Sequence, residues 1–311
     1  MSSGNVLFLV ISILGPLVSV SSSSWIICWV GLELSFLGVI PLLLSDTSYS
    51  SLSKEAVVKY FCVQALGSAF LMLGGCMVYS SFYVSWLFYS VFFLGLFMKL
   101  GLFPMHFWVP SVVSGLSWFP IFLLLGWQKL PPFALLINFS EYYYWFSPVL
   151  LIFGGLSALV GAVIGLNQSS FRAMLGSSSI AHTGWVCLGV VYGGVWIYFG
   201  IYCTSLILLM VFSFLGDELL VSMSILGLSG LPPFLMFIGK WSVLKSALES
   251  EAGFGFLILP LVGALLSLFF YLKFFYSFYL KFSESSMNSK YSFVSSIIFI
   301  ILGGVFSVSV F

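Results

Sequence analysis

Four ionisable side chains lie inside long apolar runs of this 311-residue sequence: Glu33, Lys99, Lys129 and Lys240. A charge at the centre of a membrane helix costs about 2.5 to 3.5 kcal/mol on insertion scales, so such residues are rare and usually functional. A low dielectric favours the neutral form of a lysine, whereas a nearby carboxylate restores the ammonium form. The chemistry that these residue types could do together is therefore proton or cation transfer.

Two of the lysines adjoin Gly/Pro interruptions of their apolar runs. Lys99 precedes Gly101–Pro104, and Lys240 follows Gly230–Pro233. Backbone carbonyls freed by such a break could solvate the Lys99 ammonium. Paired broken helices in corresponding positions are the usual sequence sign of a transporter site at mid-membrane depth.

The other candidates have less distinctive surroundings. Glu33 is too far from either end of its run for its side chain to reach water. Lys129 has apolar sequence on both sides, but Pro131 and Pro132 follow it, so burial and a helix end both stay open. His182 lies in a serine-rich helix and could be a proton relay or a satisfied packing residue.

The composition indicates the elements that must position these residues. Hydrophobic residues make up 61% of the chain and charged residues 6%, against about 25% charged residues in soluble proteins. We therefore predict an all-α integral membrane protein with about eleven apolar segments near the ~20 residues that span a bilayer. The predicted segments are 4–20, 25–44, 55–79, 84–109, 112–137, 147–166, 170–191, 195–215, 223–248, 255–279 and 292–310.

The segments suggest two five-helix units, residues 1–139 and 145–281, followed by a carboxyl-terminal helix at 290–311. The two interruptions are five segments apart, and an odd offset reverses direction, so the second unit would be an inverted repeat. Basic residues are concentrated in the linkers on the amino-terminal side of the predicted membrane segments. That asymmetry places the amino terminus in the cytoplasm-like compartment and the carboxyl terminus across the membrane.

Several function classes are excluded by composition and motifs. A net charge of +1 leaves no basic surface for nucleic acid. The five cysteines form no metal-binding spacing with each other or with histidine, so no metal site is expected. Nothing resembles a flavin, haem or iron–sulfur motif, and we expect no redox chemistry on this chain.

Short motifs in a fixed order resemble the NADH dehydrogenase subunit 2 family, a group of antiporter-like membrane subunits of mitochondrial respiratory complex I. The similarity is carried by Trp29–Leu34, Lys59–Phe61, Gln64–Leu66, Lys99–Pro110, Trp127–Leu130, Gly165–Gln168, Ser178–Trp185 and Gly227–Trp241. Departures from the family pattern occur at Ser111, Ala173 and Gly176. They leave every proposed relay residue in place.

The resemblance implies two inverted five-helix repeats and a proton path in which Glu33 pairs with Lys99, Lys129 is the central relay and Lys240 belongs to the second broken helix. His182 joins them as the least certain relay residue. The implied partners are other membrane-arm subunits, including antiporter-like neighbours, and lipid such as cardiolipin. NAD, FMN, iron–sulfur clusters and ubiquinone would bind to other subunits. The implied location is the mitochondrial inner membrane, with the amino terminus in the matrix and the carboxyl terminus in the intermembrane space.

The sequence analysis predicts a proton-translocating subunit driven by electron transfer from NADH to ubiquinone elsewhere in the complex. When Glu33 and Lys99 separate, Lys99 would pass its proton through bound water towards Lys129 and then Lys240. Two alternatives remain open at this point. One is an Mrp-like sodium/proton antiporter subunit, and the other is a structural membrane subunit with an idle polar axis.

Overall fold

The computed structural model describes residues 3–45, 51–80, 86–232, 234–250 and 255–284. In this part of the chain the regular structure is entirely helical. The helices are α1 Ser3–Ser21, α2 Trp25–Ser45, α3 Ser51–Ser80, α4 Trp86–Leu100, α5 Trp108–Ser114, α6 Trp118–Leu125, α7 Leu130–Tyr142, α8 Phe146–Leu166, α9 Phe171–Tyr192, α10 Val195–Leu215, α11 Glu218–Ser229, α12 Leu235–Glu249 and α13 Gly255–Glu284. A 3-10 turn, Trp127–Lys129, connects α6 to α7.

Eight stretches of the described chain are long and apolar enough to cross a membrane. One of them, Trp118–Tyr142, combines α6, the 3-10 turn and α7, while α4 and α11 are shorter apolar helices. These observations confirm the prediction of an all-α membrane protein. The predicted segment 292–310 lies outside the described residues.

The predicted segments 84–109 and 112–137 have the wrong limits. Segment 84–109 ends early, because the α4 helix stops at Leu100, and α5 bridges the expected gap before segment 112–137. Segment 223–248 consists of two helices, α11 and α12. In each case a left-handed glycine stops the helix, at Gly101 with φ 71° and at Gly230 with φ 80°. Both interruptions predicted from the Gly/Pro sequence are therefore present.

The chain divides into two compact units, Met1–Phe146 and Ser147–Phe311. The sequence predicts this boundary between residues 139 and 145. That the second unit is an inverted repeat of the first stays a prediction.

Small residues bring α1 and α2 of the first unit into backbone contact. A Cβ added at Gly15 would lie 2.5 Å from the Ser35 nitrogen, and one at Gly31 would lie 2.7 Å from the Ser19 nitrogen. Such close approach is the usual way in which membrane helices gain packing energy, because lipid tails supply no hydrophobic drive between helices. The contact fixes the position of α2, the helix that carries Glu33.

Helices α3 and α4 pack in the same manner. A Cβ at Gly74 would lie 2.6 Å from the Phe92 nitrogen, and a Cβ at Gly95 would lie 2.7 Å from the Leu71 nitrogen. The carboxyl-terminal end of α4 is thereby held against α3. This packing brings Lys99 towards the polar side chain of Gln64 on α3.

In the second unit α9 is the most buried helix, packed against α10, α12 and α13. Its serines and threonine are buried, and each hydroxyl donates to the carbonyl three residues earlier in the same helix. These bonds are Ser177 to Met174 O at 2.8 Å, Ser178 to Leu175 O at 2.9 Å, Ser179 to Gly176 O at 2.7 Å and Thr183 to Ile180 O at 2.7 Å. A polar helix can be buried in this way without unsatisfied hydroxyl donors.

Candidate functional site

The first helix break closes the end of α4 with backbone and side-chain donors. The carbonyl of Phe97 accepts from the Gly101 and Leu102 amides at 2.9 and 3.0 Å. The Trp108 indole donates to Met98 O at 3.0 Å. The last carbonyls of a helix have no partner within the helix, and these donors supply one. These donors occupy the carbonyls of Phe97 and Met98. The Lys99 ammonium therefore binds a different acceptor.

Lys99 forms an ion pair with Glu33, as the sequence analysis predicted. The distance from Lys99 Nζ to Glu33 Oε1 is 3.1 Å, and the Lys99 Nζ also lies 5.9 Å from the centre of the Phe36 ring. The exposed fraction of the side chain is 4% for Lys99 and 22% for Glu33. The expectation that freed carbonyls hold the Lys99 ammonium is therefore wrong for this residue, since a carboxylate takes that place.

A small cavity lies beside the ion pair. Its wall includes Lys99, Gln64, Gln128 and Tyr60, and about 10 Å³ is available to the centre of a water-sized sphere, enough for about one water molecule. Gln64 donates to Lys99 O at 3.4 Å. The cavity therefore combines an ammonium group with amide side chains from two other elements.

The 3-10 turn after α6 supplies both Gln128 and Lys129. Gln128 exchanges hydrogen bonds with Ser35 on α2, accepting at 3.2 Å from the Ser35 hydroxyl and donating at 3.3 Å to Ser35 O. Lys129 is 2% exposed, so the interior position left open by the sequence is the one adopted. The residues that line this cavity do not include Lys129.

The second helix break holds Lys240 in a different way. Lys240 is 8% exposed, and its Nζ donates to the backbone oxygen of Ser229, the last residue of α11, at 2.7 Å. The carboxyl-terminal end of a helix carries about half a negative charge, which favours a cation there. Gly230 permits this approach, since a Cβ at that position would lie 2.7 Å from Lys240 Nζ.

His182 is held between two tyrosines. Its Nδ1 lies 2.9 Å from the Tyr198 hydroxyl on α10, and its Nε2 lies 3.1 Å from the Tyr271 hydroxyl on α13. All three side chains are buried. A neutral imidazole has one donor and one acceptor nitrogen, and a phenol can serve either, so the hydrogen bonds are satisfied in both tautomers.

A second small cavity connects His182 with Lys240. Both residues line it, together with Tyr271 and Ser267, and it again has about 10 Å³ for the centre of a water-sized sphere. One water molecule at this place would have several polar partners. Lys240 and His182 thus share a polar cavity in the second unit, while Glu33, Lys99 and Lys129 belong to the first unit.

Sequence reasoning missed four polar side chains of these sites: Gln64, Gln128, Tyr198 and Tyr271. Gln64 and Gln128 gave the same signal as the lysines, because each is a polar residue within an apolar run. The tyrosines gave no such signal, since aromatic residues are frequent throughout the chain. Among the residues in the described ranges, no three His, Cys, Asp or Glu side chains form a group that could hold a metal ion.

Comparison with known proteins identifies the family. The family described as NADH:quinone oxidoreductase/Mrp antiporter, transmembrane region, matches residues 22–219. NADH-ubiquinone oxidoreductase chain 2 of Albinaria caerulea is 36% identical over 281 residues, covering 89% of this chain and 89% of that protein. The protein of the same name from Anopheles gambiae is 34% identical and covers 98% of this chain and 97% of its own.

Solved structures show the same fold. A chain of respiratory complex I from Thermus thermophilus superposes with a TM-score of 0.78 at 23% identity, covering 99% of this chain and 79% of its own. A chain of the Mrp complex from Dietzia sp. gives 0.73 at 17% identity, covering 86% and 59%. On the family match and the identity to its relatives, this chain belongs to the NADH-ubiquinone oxidoreductase chain 2 family of antiporter-like membrane proteins.

Proposed function

We propose that this chain translocates protons as a membrane-arm subunit of respiratory complex I, NADH:ubiquinone oxidoreductase, in the mitochondrial inner membrane. The single observation that carries the proposal is the ion pair of Glu33 and Lys99, 3.1 Å apart beside a broken helix. Burying two charges costs desolvation free energy. A pair that forms and breaks during each pumping cycle would explain why the chain carries these charges in its interior. The names of the curated relatives and the fold shared with a complex I chain support the same function.

The proposed mechanism begins with the separation of Glu33 from Lys99. The neutral form of a lysine in a low dielectric then gains over the ammonium form, so Lys99 releases its proton to water in the adjoining cavity. Lys129 and then Lys240, with His182, receive it in turn. The titrations of Glu33 and Lys99 belong to the pair, because strongly interacting groups share macroscopic pKa values.

The energy for this movement would come from electron transfer between NADH and ubiquinone in other subunits. On this proposal NAD, FMN, iron–sulfur clusters and ubiquinone bind outside this chain. The partners are the other membrane-arm subunits, with antiporter-like chains among the neighbours, and surrounding lipid such as cardiolipin. The amino terminus faces the matrix and the carboxyl terminus faces the intermembrane space.

The test of the ion pair uses two glutamates. Glu33→Gln removes the carboxylate charge beside Lys99, while Glu55→Gln changes an exposed glutamate of the same unit. In assembled, coupled complex reconstituted into vesicles, we expect Glu33→Gln to lower the number of protons moved per electron pair and Glu55→Gln to leave it unchanged. An unaltered ratio in the Glu33 variant, at normal assembly, would contradict a role for the pair.

The lysine test compares two residues of one helix. Lys240→Met removes the ammonium group next to Ser229, and Lys245→Met removes an exposed one five residues further along α12. We expect only Lys240→Met to lower the proton ratio, which is the number of protons moved per electron pair. Lys129→Met should act like Lys240→Met, and if it leaves the ratio at the native value, Lys129 is not on the path.

An Mrp-like sodium/proton antiporter is the second candidate, and the fold similarity to an Mrp chain favours it specifically. The distinguishing measurement is sodium-driven proton exchange by the isolated chain in vesicles. We expect none, since the relatives at 34% to 36% identity are named as oxidoreductase chains. Sodium-driven exchange would support the antiporter. Full pumping by a Glu33, Lys99 and Lys240 triple variant would instead indicate a structural subunit.

A further inference from the structure

We propose that Tyr271 is a relay residue that carries a proton between Lys240 and His182, and that Tyr198 is a positioning residue that holds the His182 ring with its Nε2 towards Tyr271. The inference rests on the proposed proton translocation and adds two residues that neither the motifs nor the buried charges single out. Its basis is the geometry of one cluster in the second unit, in which helices α9, α10, α12 and α13 each contribute one of these side chains.

The first step of the argument is the shape of the cluster. Tyr271 touches His182 Nε2 at 3.1 Å and also lines the cavity that Lys240 and His182 share. That cavity has room for about one water molecule, about 10 Å³ for the centre of a water-sized sphere. The order Lys240, water, Tyr271, His182 is therefore a row of groups that can each donate and accept a proton in the right direction.

The second step concerns Tyr198, which lies 2.9 Å from His182 Nδ1. It is fully buried and belongs to α10, on the side of the imidazole opposite to Tyr271. When Nδ1–H donates to the Tyr198 hydroxyl, Nε2 is the bare acceptor and faces Tyr271. A ring held at both nitrogens passes protons by changing tautomer or charge without turning over.

The transfer balances as follows. The Lys240 ammonium gives one proton to the cavity water, and the water gives one to the Tyr271 oxygen. Tyr271 at the same time gives its own hydroxyl proton to His182 Nε2. The products are a neutral Lys240 amine and a His182 imidazolium, whose two N–H groups donate to Tyr198 and Tyr271. Tyr271 is a phenol before and after the transfer, and its hydroxyl must then turn back before the next proton.

The principal test is Tyr271→Phe in the assembled complex, which removes one hydroxyl and keeps the buried ring. Tyr276→Phe on the same helix is the matched control, since Tyr276 is exposed. A positioned proton-transfer group contributes about 100-fold or more to the rate of its step. We therefore expect Tyr271→Phe to lower the proton ratio as far as Lys240→Met does, with normal assembly, and Tyr276→Phe to match the native complex.

A purely structural role for Tyr271 is tested by combining substitutions. If Tyr271 acts through His182, Tyr271→Phe with His182→Gln should cost no more pumping than either change alone. Additive losses would contradict the relay. For Tyr198→Phe we expect a partial loss that disappears in the His182→Gln background, because without the imidazole there is no ring for Tyr198 to hold in place. A loss that persists there would contradict the positioning role.

A second variant tests the relay without touching a hydroxyl. Ala264→Val narrows the cavity that Lys240, His182 and Tyr271 line, and should lower the proton ratio by excluding the water. If the complex that carries Tyr271→Phe does not assemble, the proton ratio of the Ala264→Val complex tests the relay in its place. Loss of pumping in Lys240→Met with normal pumping in Tyr271→Phe would overturn the relay and leave the proposed function intact. Normal pumping in both would overturn the two together.

Discussion

Gly230→Ala offers a sharp test of how the second break places Lys240. The glycine has φ 80°, and a Cβ there would lie 2.7 Å from Lys240 Nζ and 2.9 Å from the side-chain carbons Cδ and Cε. An alanine in the left-handed region costs about 1 to 2 kcal/mol. The new methyl group must also push the ammonium off the Ser229 carbonyl, and a hydrogen bond to a charged group contributes about 1.5 to 3 kcal/mol. The two effects together amount to about 2.5 to 5 kcal/mol.

Gly216→Ala separates the two effects. Gly216 ends α10 with φ 75°, close to that of Gly230, but a Cβ there would meet nothing within 4 Å. It should therefore cost only the backbone term of about 1 to 2 kcal/mol. The assay is the midpoint temperature for loss of complex integrity in detergent, read together with the proton ratio in vesicles.

The expected result is a larger drop in midpoint temperature for Gly230→Ala than for Gly216→Ala, and a lowered proton ratio in the first variant alone. If both variants lower the midpoint temperature equally and keep the native proton ratio, the contact between Lys240 and the end of α11 contributes neither to stability nor to pumping. The reasoning about the second break would then be refuted.

Three further substitutions test other contacts in the first unit. Trp108→Phe removes the indole that donates to Met98 O, and the unpaired buried carbonyl should destabilise the complex by about 1 to 3 kcal/mol, seen as a lower midpoint temperature. Gly75→Ala should displace the Trp25 ring, which occupies the place of the new Cβ, and so reduce the yield of assembled complex. Glu55→Gln should leave the midpoint temperature unchanged, because its salt bridge is exposed and such pairs contribute little.

The helix breaks and the buried lysines could be predicted from the sequence because their causes are local. A glycine takes the left-handed conformation at Gly101 and Gly230 with no steric cost. A lysine inside an apolar run usually faces the interior of the bundle, as Lys99 and Lys240 do, although Lys273 within α13 is exposed. Pairing of Glu33 with Lys99 required the family resemblance, since the two residues are far apart in the chain.

What could not be predicted depends on how helices meet. The seven-residue helix α5 is too short to produce a periodic signal, so the sequence does not separate it from the predicted segments 84–109 and 112–137. Trp108 occupies a carbonyl of α4 only because the chain folds back after the break. The hydroxyls of Tyr198 and Tyr271 reach His182 from α10 and α13, and no local pattern states which of the many aromatic rings will do so.

The buried hydroxyls of α9 have a consequence for the sign of charge that this helix tolerates. Ser177, Ser178 and Thr183 each direct their O–H hydrogen back to a carbonyl of their own helix. What they present to neighbouring groups is therefore oxygen lone pairs. Oxygen lone pairs favour a positive neighbour over an anion, so the buried face of α9 suits an ammonium group better than chloride or hydroxide without a carboxylate on this helix.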